Sequence, residues 1–394
     1  MKKIGLLPRI ILGIILGIVV AKFLPVSFVR VFITISAIFN LFLGFIIPLM
    51  IVAFIGYGIS SLTEGATKLI GVTVALSYLS TLIAGSIAFF IASNLFPVFL
   101  GSNLPNLSET QSLSPYFTIP LKPMFDVTSA VVFAFIIGMG ITMLRQQGNG
   151  FGETSFSLMR DAESIIQGVL KNIIIPLLPL YILGTFANLT YTGAIGNILV
   201  IFGKVFATVI VLHLIYICVL FIIAGAIGKK SPLMLIKNQV PAYFTAVGTQ
   251  SSAATIPVSL ISATKNGVSE QIRNFVIPLC ATIHLAGSMI TITCCSTAVI
   301  LILGQHPNYL TVLPFILMLG VAMVAAPGAP GGAIVAALPF LHMVGIGEEL
   351  QGLMLALYIT QDSFGTAANV SGDNAIAVFV DWFYKTKIKK ESIA

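Results

Sequence analysis

Charge is what this chain has least of. Only 20 of its 394 residues are Lys or Arg and 13 are Asp or Glu, 8% together, where a soluble domain carries about 25%. So few charges cannot clothe a water-facing surface of this size, which excludes an ordinary soluble protein. Cysteine is also sparse. Cys218, Cys280, Cys294 and Cys295 lie in apolar stretches without metal-ligand spacing and read as small buried residues. There is one Trp, and the basic residues behind the formal charge of +7 flank apolar runs. Neither feature points to nucleic acid.

What the chain has in excess is apolar length, with 57% hydrophobic residues gathered in runs such as 10–20 and 206–227. The second run matches the ~20 residues with which a helix crosses a ~30 Å hydrocarbon core. In a bilayer every backbone polar group must be satisfied internally, so helices or closed barrels are the only spanning forms. Continuous rather than alternating runs select helices. Met1, Lys2 and Lys3 precede an apolar stretch with no clean small-residue cleavage site, so this start reads as a first span kept in the mature protein.

Hydropathy predicts an all-α polytopic membrane protein. Eight transmembrane helices are expected near 8–24, 29–61, 68–98, 126–145, 163–190, 196–228, 269–304 and 347–384. Two interrupted apolar segments lie near 233–265 and 311–345. The polar stretches 101–120 and 145–163 fall between spans. From a cytoplasmic N-terminus, alternation places Arg145, Arg160, Lys229, Lys230, Lys237, Lys265, Arg273 and the tail lysines Lys385, Lys387, Lys389 and Lys390 inside. Lys22, Arg30 and Lys122 fall outside. This follows the positive-inside rule if both interrupted segments enter and leave by one face. A full crossing by either would move every later basic cluster to the other side.

Both interrupted segments have a polar or Gly/Pro-rich centre. The first holds Gly248, Thr249, Gln250, Ser251, Ser252, Thr255 and Pro257. The second holds Pro327, Gly328, Ala329, Pro330, Gly331 and Gly332. Irregular backbone at membrane depth survives only where it is buried in protein or lines a wet cavity, and such a pair of segments points to a transporter's binding site. Helix starts at the breaks aim N–H groups at an anion such as a carboxylate.

The last predicted span holds Asp362, Thr366, Asn369 and Asp373. Spacings of four, three and four place all of them on one helix face. An Asp at the bilayer centre costs ~3 kcal/mol on translocon scales, and this span contains no Lys or Arg to compensate. A bound cation would do so. Asp373 with Asn369 offers hard oxygen ligands of the kind sodium takes, and Asp362 with Thr366 could face a substrate ammonium group. In the seventh span, Gly287 and its small polar neighbours suggest local unwinding that frees carbonyls for a cation. His284 could titrate, ligate or hydrogen-bond. His213 reads as a helix-packing residue, Lys204 as an interfacial or cavity lysine, and Asp126 as interfacial.

These motifs resemble the dicarboxylate/amino acid:cation symporter family, the glutamate transporter homologues, and most of all its bacterial sodium-coupled serine/threonine branch. The family's serine-rich first hairpin matches 251–257. Its Asn-Met-Asp-Gly-Thr motif falls on His284, Leu285, Ala286, Gly287 and Ser288, its second-hairpin tip on 328–332, and its last-span pattern on Asp362, Thr366, Asn369 and Asp373. The resemblance implies a homotrimer in the inner or plasma membrane with both termini cytoplasmic, and an elevator fold of eight transmembrane helices plus two re-entrant hairpins. Scaffold helices would occupy 1–67 and 126–195, an extracellular loop 101–125, and a moving transport domain 68–100 together with 196–394. The second hairpin would be the outer gate.

Carried over residue by residue, the resemblance places a substrate against Ser251, Ser252, Ala329, Gly331, Asp362, Gly365, Thr366 and Asn369. It places sodium against Thr81, His284, Ser288, Asn369 and Asp373. Members that take acidic substrates carry an Arg where this chain has Gly365, and Arg is the bidentate partner of a side-chain carboxylate. A small neutral amino acid such as serine, threonine or alanine is therefore expected, with a dicarboxylate or acidic amino acid as the alternative and a channel less favoured. Ala286 stands where the family has Asp, as in the serine/threonine branch, which implies fewer coupled sodium ions. His284 in place of Asn leaves proton coupling open. No enzyme chemistry and no cofactor beyond the coupling cation is expected.

Overall fold

The computed structural model describes residues 6–60, 67–100, 113–124, 127–148, 150–193, 195–324, 326 and 330–388. Several expectations fall outside these residues: the start at Met1, Lys2 and Lys3, the loop residues 101–112, Asp126, the hairpin-tip residues Pro327, Gly328 and Ala329, and Lys389 and Lys390. Among the described residues the regular structure is helical, with no strand. Six helical stretches among these residues are long and apolar enough to cross a membrane.

The first four helices are α1 (Leu6–Phe23), α2 (Val26–Ser60), α3 (Thr67–Leu100) and α4 (Val127–Gln146). α5 (Glu153–Val169) runs through a π-helical turn at Leu170–Ile174 into α6 (Ile175–Tyr191). Pro176 and Pro179 have no N–H to continue the ladder there, and a π turn is one way a helix absorbs the loss. α5 corrects the sequence reading, which left 145–163 between spans. It is amphipathic, with Glu153, Arg160, Asp161 and Glu163 beside Leu158, Met159 and Ile166, and mean hydropathy does not register such a helix.

α7 (Ile195–Gly228) is followed by α8 (Pro232–Thr249) and α9 (Ser252–Lys265), which pack against each other as a hairpin. Gln250 takes a left-handed conformation (φ 53°) at the reversal, and the Ser251 hydroxyl caps α9 by accepting from Ala254 N at 3.3 Å. At the far end of the hairpin Lys230 donates to the carbonyls of Asn266 and Gly267. Partial burial in that turn holds its ammonium below the usual lysine range.

The seventh span is broken as expected, into α10 (Glu270–Ile283) and α11 (Ala286–Ile302). The break lies at His284 and Leu285, just before Gly287. α12 (Tyr309–Val324) leads to a second reversal, where α13 (Gly332–Ala337) and a 3₁₀ stretch at Leu338–Val344 pack back on α12. The last span was expected to be continuous over 347–384. Instead it divides into α14 (Gln351–Ile359) and α15 (Asp362–Phe383). No Gly or Pro marks this break. The Thr360 hydroxyl and the Gln361 amide both donate to the Leu357 carbonyl, each at 2.8 Å, and so compete with the backbone that would continue the helix.

Helices in a bilayer gain little from hydrophobic burial against one another and associate through close packing of small residues. α1 lies on α6 through Gly13 and Gly17, where a Cβ would come within 2.5 Å of the Pro179 and Leu183 carbonyl oxygens. α2 meets α6 at Gly184, against the Phe32 carbonyl and Ser36. α3 packs instead on α7, α10, α11, α12 and α15. α11 is buried along its whole length at the centre of this second group.

Candidate functional site

The two breaks give the site its form. A helix end leaves backbone N–H or C=O groups without intrahelical partners. At His284 and Leu285 the last carbonyls of α10 and the first N–H groups of α11 therefore meet at depth, and at Thr360 and Gln361 α14 and α15 do the same.

Asn369 of α15 stands at the first break as a capping residue supplied from another helix. Its Oδ1 accepts from Gly287 N at 2.8 Å and Ser288 N at 3.2 Å, and its Nδ2 donates to Ser288 Oγ at 3.0 Å. Leu285, the residue before α11, provides no side-chain cap of its own. The Tyr358 hydroxyl donates to Ser288 Oγ at 3.0 Å and lies beside Asp362. α11 and α15 come close enough for these bonds because Gly287 faces Gly365 and Ala368. A Cβ on Gly287 would overlap the Gly365 carbonyl oxygen. His213 of α7 sits 2.9 Å from the Gly287 carbonyl oxygen and 3.2 Å from Thr291 Oγ1, so its packing role falls at the break itself.

Asp373 lies one turn beyond Asn369. Its Oδ1 is 3.0 Å from His284 Nδ1, and the two side chains are 2% and 0% exposed. His284 Nε2 is 3.0 Å from Ser80 Oγ of α3, which is 2.6 Å from the Tyr216 hydroxyl of α7. In a neutral ring the carboxylate draws the proton to Nδ1, and on the far side the Tyr216 hydroxyl also donates to the Ser80 carbonyl at 2.9 Å. The imidazole lies over Gly372, where any Cβ would overlap its Cε1.

Asp362 is the first residue of α15 and is buried, 4% exposed. Its Oδ2 accepts from Gly331 N at 2.7 Å. Gly331 adopts φ 75°, a left-handed conformation that favours glycine. Through this bond the second reversal closes on the last span.

Among the predicted residues, Gly331, Asp362, Gly365, Thr366, Asn369, Asp373, His284 and Ser288 thus gather around two broken helices. Thr366 is buried on the same face of α15. Ser251 and Ser252 sit at the tip of the first hairpin, which packs on α15 through Ala242 and Ala246 against Ala367 and Val370. Thr81 is buried and donates to the Ser77 carbonyl of its own helix. Its neighbour Ser80 is the α3 residue that reaches His284. Ala329 lies outside the described residues. The sequence reading missed Ser80, Tyr216 and Tyr358, since nothing local marks a hydroxyl in an apolar helix as the partner of a residue 204 positions away.

No cluster of three or more His, Cys, Asp or Glu side chains suited to a metal occurs among the described residues. A hard coupling cation carried as cargo takes oxygen ligands rather than such a set. The break-point carbonyls, Ser288 and the α15 carboxylates supply oxygen.

Two proteins named as the serine/threonine transporter SstT, from two strains of Acinetobacter baumannii, are similar to this chain. They are 25% and 26% identical to it over 403 aligned positions, and each alignment covers 96% of this chain and 97% of the relative. These are names of transporters, not of enzymes. The model of the sodium:dicarboxylate symporter family matches residues 6–383, and this multi-pass membrane transporter therefore belongs to that family.

Proposed function

We propose that the protein takes up a small neutral amino acid, such as serine, threonine or alanine, in symport with a cation, sodium by preference. The observation that carries this reading is the surroundings of Asp362. It is a buried carboxylate at the start of a helix that contains no Lys or Arg, and three residues on stands Gly365. A carboxylate in that setting suits an ammonium group. An acidic substrate side chain would find no cation on α15. The name of the two relatives points the same way.

Asp362 would receive the substrate's amino group, and Thr366 and Asn369 would meet its polar atoms. Ser251, Ser252, Gly331 and Ala329 would line the two hairpin tips, with the second hairpin as the outer gate. Asp373, Asn369, Ser288, Thr81 and the break-point carbonyls would serve the cation. Because His284 already occupies Asp373 Oδ1, fewer sodium ions should couple than where an Asn stands at that position. The packing of α3 on α7, α10, α11, α12 and α15 supports an elevator movement of residues 68–100 and 196–394 against 1–67 and 126–195. A homotrimer in the inner membrane with cytoplasmic termini completes the proposal.

Purified protein in liposomes should accumulate labelled serine under an inward sodium gradient, and Asp362→Asn should abolish this. Competition by succinate that outstrips competition by alanine would falsify the neutral amino-acid assignment. Uptake unaffected by Asp362→Asn would remove Asp362 from the site.

A further inference from the structure

His213 is a buried imidazole to which the proposed uptake gives no task. It stands on α7 and is 0% exposed. Its Nε2 lies 2.9 Å from the Gly287 carbonyl oxygen, which can only accept, so Nε2 carries a proton. The Thr291 hydroxyl, 3.2 Å from that nitrogen, donates to the same carbonyl at 3.1 Å. In a neutral ring Nδ1 is then a bare acceptor, and it has no hydrogen-bond partner among the described residues. A buried acceptor without a donor costs stability. A Leu or Phe would fill the same space without that cost, so filling space does not account for the imidazole. What sets it apart is the Nε2–H.

The Gly287 carbonyl and the Ser288 N–H belong to one peptide plane. His213 holds this plane by its oxygen from α7, and Asn369 holds it by its nitrogen from α15, with Ser288 N 3.2 Å from Asn369 Oδ1. The plane lies in the first turn of α11, where N–H groups lack intrahelical partners, and Gly287 brings no side chain to steady it. A hydrogen bond to the carbonyl also strengthens the one its N–H makes. Asn369 Oδ1 spends its lone pairs on Gly287 N and Ser288 N, and Nδ2 gives Ser288 Oγ one of its two hydrogens. The other Nδ2 hydrogen is the one a ligand can take, and its direction follows the plane.

We propose that His213 is a positioning residue of the substrate site. It grips the 287–288 peptide from outside the site and so sets the direction in which Asn369 presents its amide. The inference rests on the assignment of Asn369 to the substrate.

The test compares His213→Gln with His213→Asn. Gln carries an amide nitrogen at the reach of Nε2, and Asn carries one only at the reach of Nδ1, too short for the Gly287 carbonyl. In liposomes at saturating sodium, His213→Asn should raise KM for serine about 3- to 10-fold, the scale of one hydrogen bond, with the maximal rate per folded protein unchanged. His213→Gln should restore KM. A residue that only packs would lower the amount of folded protein and leave KM alone.

Hydrogen exchange of the peptide that contains Ser288 gives a second reading. Its N–H should exchange faster in His213→Asn and at the unaltered rate in His213→Gln. Equal KM in all three proteins overturns the proposal, as does a KM in His213→Gln raised as far as in His213→Asn. Unchanged exchange at Ser288 overturns the grip on the peptide. Exchange needs no ligand, so an unaltered protein that took up succinate and no serine would sink the substrate assignment alone, and the KM comparison would then be made with succinate.

Discussion

His284 is held from both sides, by Asp373 on α15 and by Ser80 on α3, with Gly372 making room for its ring. The pair is fully buried, so removing one member strands the other. Losing the partner of a buried charge costs about 3–5 kcal/mol. His284→Leu should lower stability on that scale, whereas His284→Gln keeps an amide donor and should lose less. Unfolding in detergent measures both, and equal losses would mean that the donor to Asp373 does not matter. At this scale the sequence was partly legible. The four-residue face of α15 could be read because helical spacing is a local property. The partners of that face could not, since Ser80, Tyr216 and Tyr358 are ordinary residues of apolar helices until folding brings them to it.

The breaks in the last helices carry the chemistry at the scale of elements. Gly287 and its neighbours announced the break between α10 and α11. The break between α14 and α15 was invisible, because Thr360 and Gln361 interrupt the ladder with side chains rather than by lacking a backbone donor. α5 was missed for a different reason, its apolar residues being confined to one face. Asn369 is the cap of a helix to which it does not belong. Asn369→Ala should leave the N–H groups of Gly287 and Ser288 buried without an acceptor, at about 1–3 kcal/mol for each stranded group. Asn369→Asp keeps an accepting oxygen for that turn, though it adds a buried carboxylate one turn from Asp373, and should protect the turn better than Ala. Hydrogen exchange in the first turn of α11 reads the difference directly. If both variants exchange there at the rate of the unaltered protein, the cap is not what holds the turn.

Across the whole molecule, α14 touches α6 at Gly352 and Thr185, where a Cβ on the glycine would lie 3.1 Å from the threonine Cβ. That is shorter than the ~3.5–4.5 Å separation of disulfide-bonded Cβ atoms, so the two backbones would part by a few tenths of an ångström to take a bridge. The contact joins the two groups of helices that the elevator proposal sets in relative motion. Oxidation of a Thr185→Cys, Gly352→Cys pair should stop uptake, and reduction should restore it. Cys218 is the exposed native thiol and should be Ser in that background, since Cys280, Cys294 and Cys295 are buried. Full uptake with the bridge closed would mean that the two groups do not move apart at this contact.

The bond from Gly331 to Asp362 ties the second reversal to the carboxylate proposed for the substrate. The peptide N–H and an arriving ammonium are rivals for the same Oδ2. A ligand that takes that oxygen weakens the hold on the reversal, and by thermodynamic reciprocity any change that loosens the reversal raises affinity for the ligand by the same factor. A substitution at Gly331, whose backbone N–H makes this bond, should therefore be legible as altered substrate affinity while the Asp362 side chain itself is unchanged.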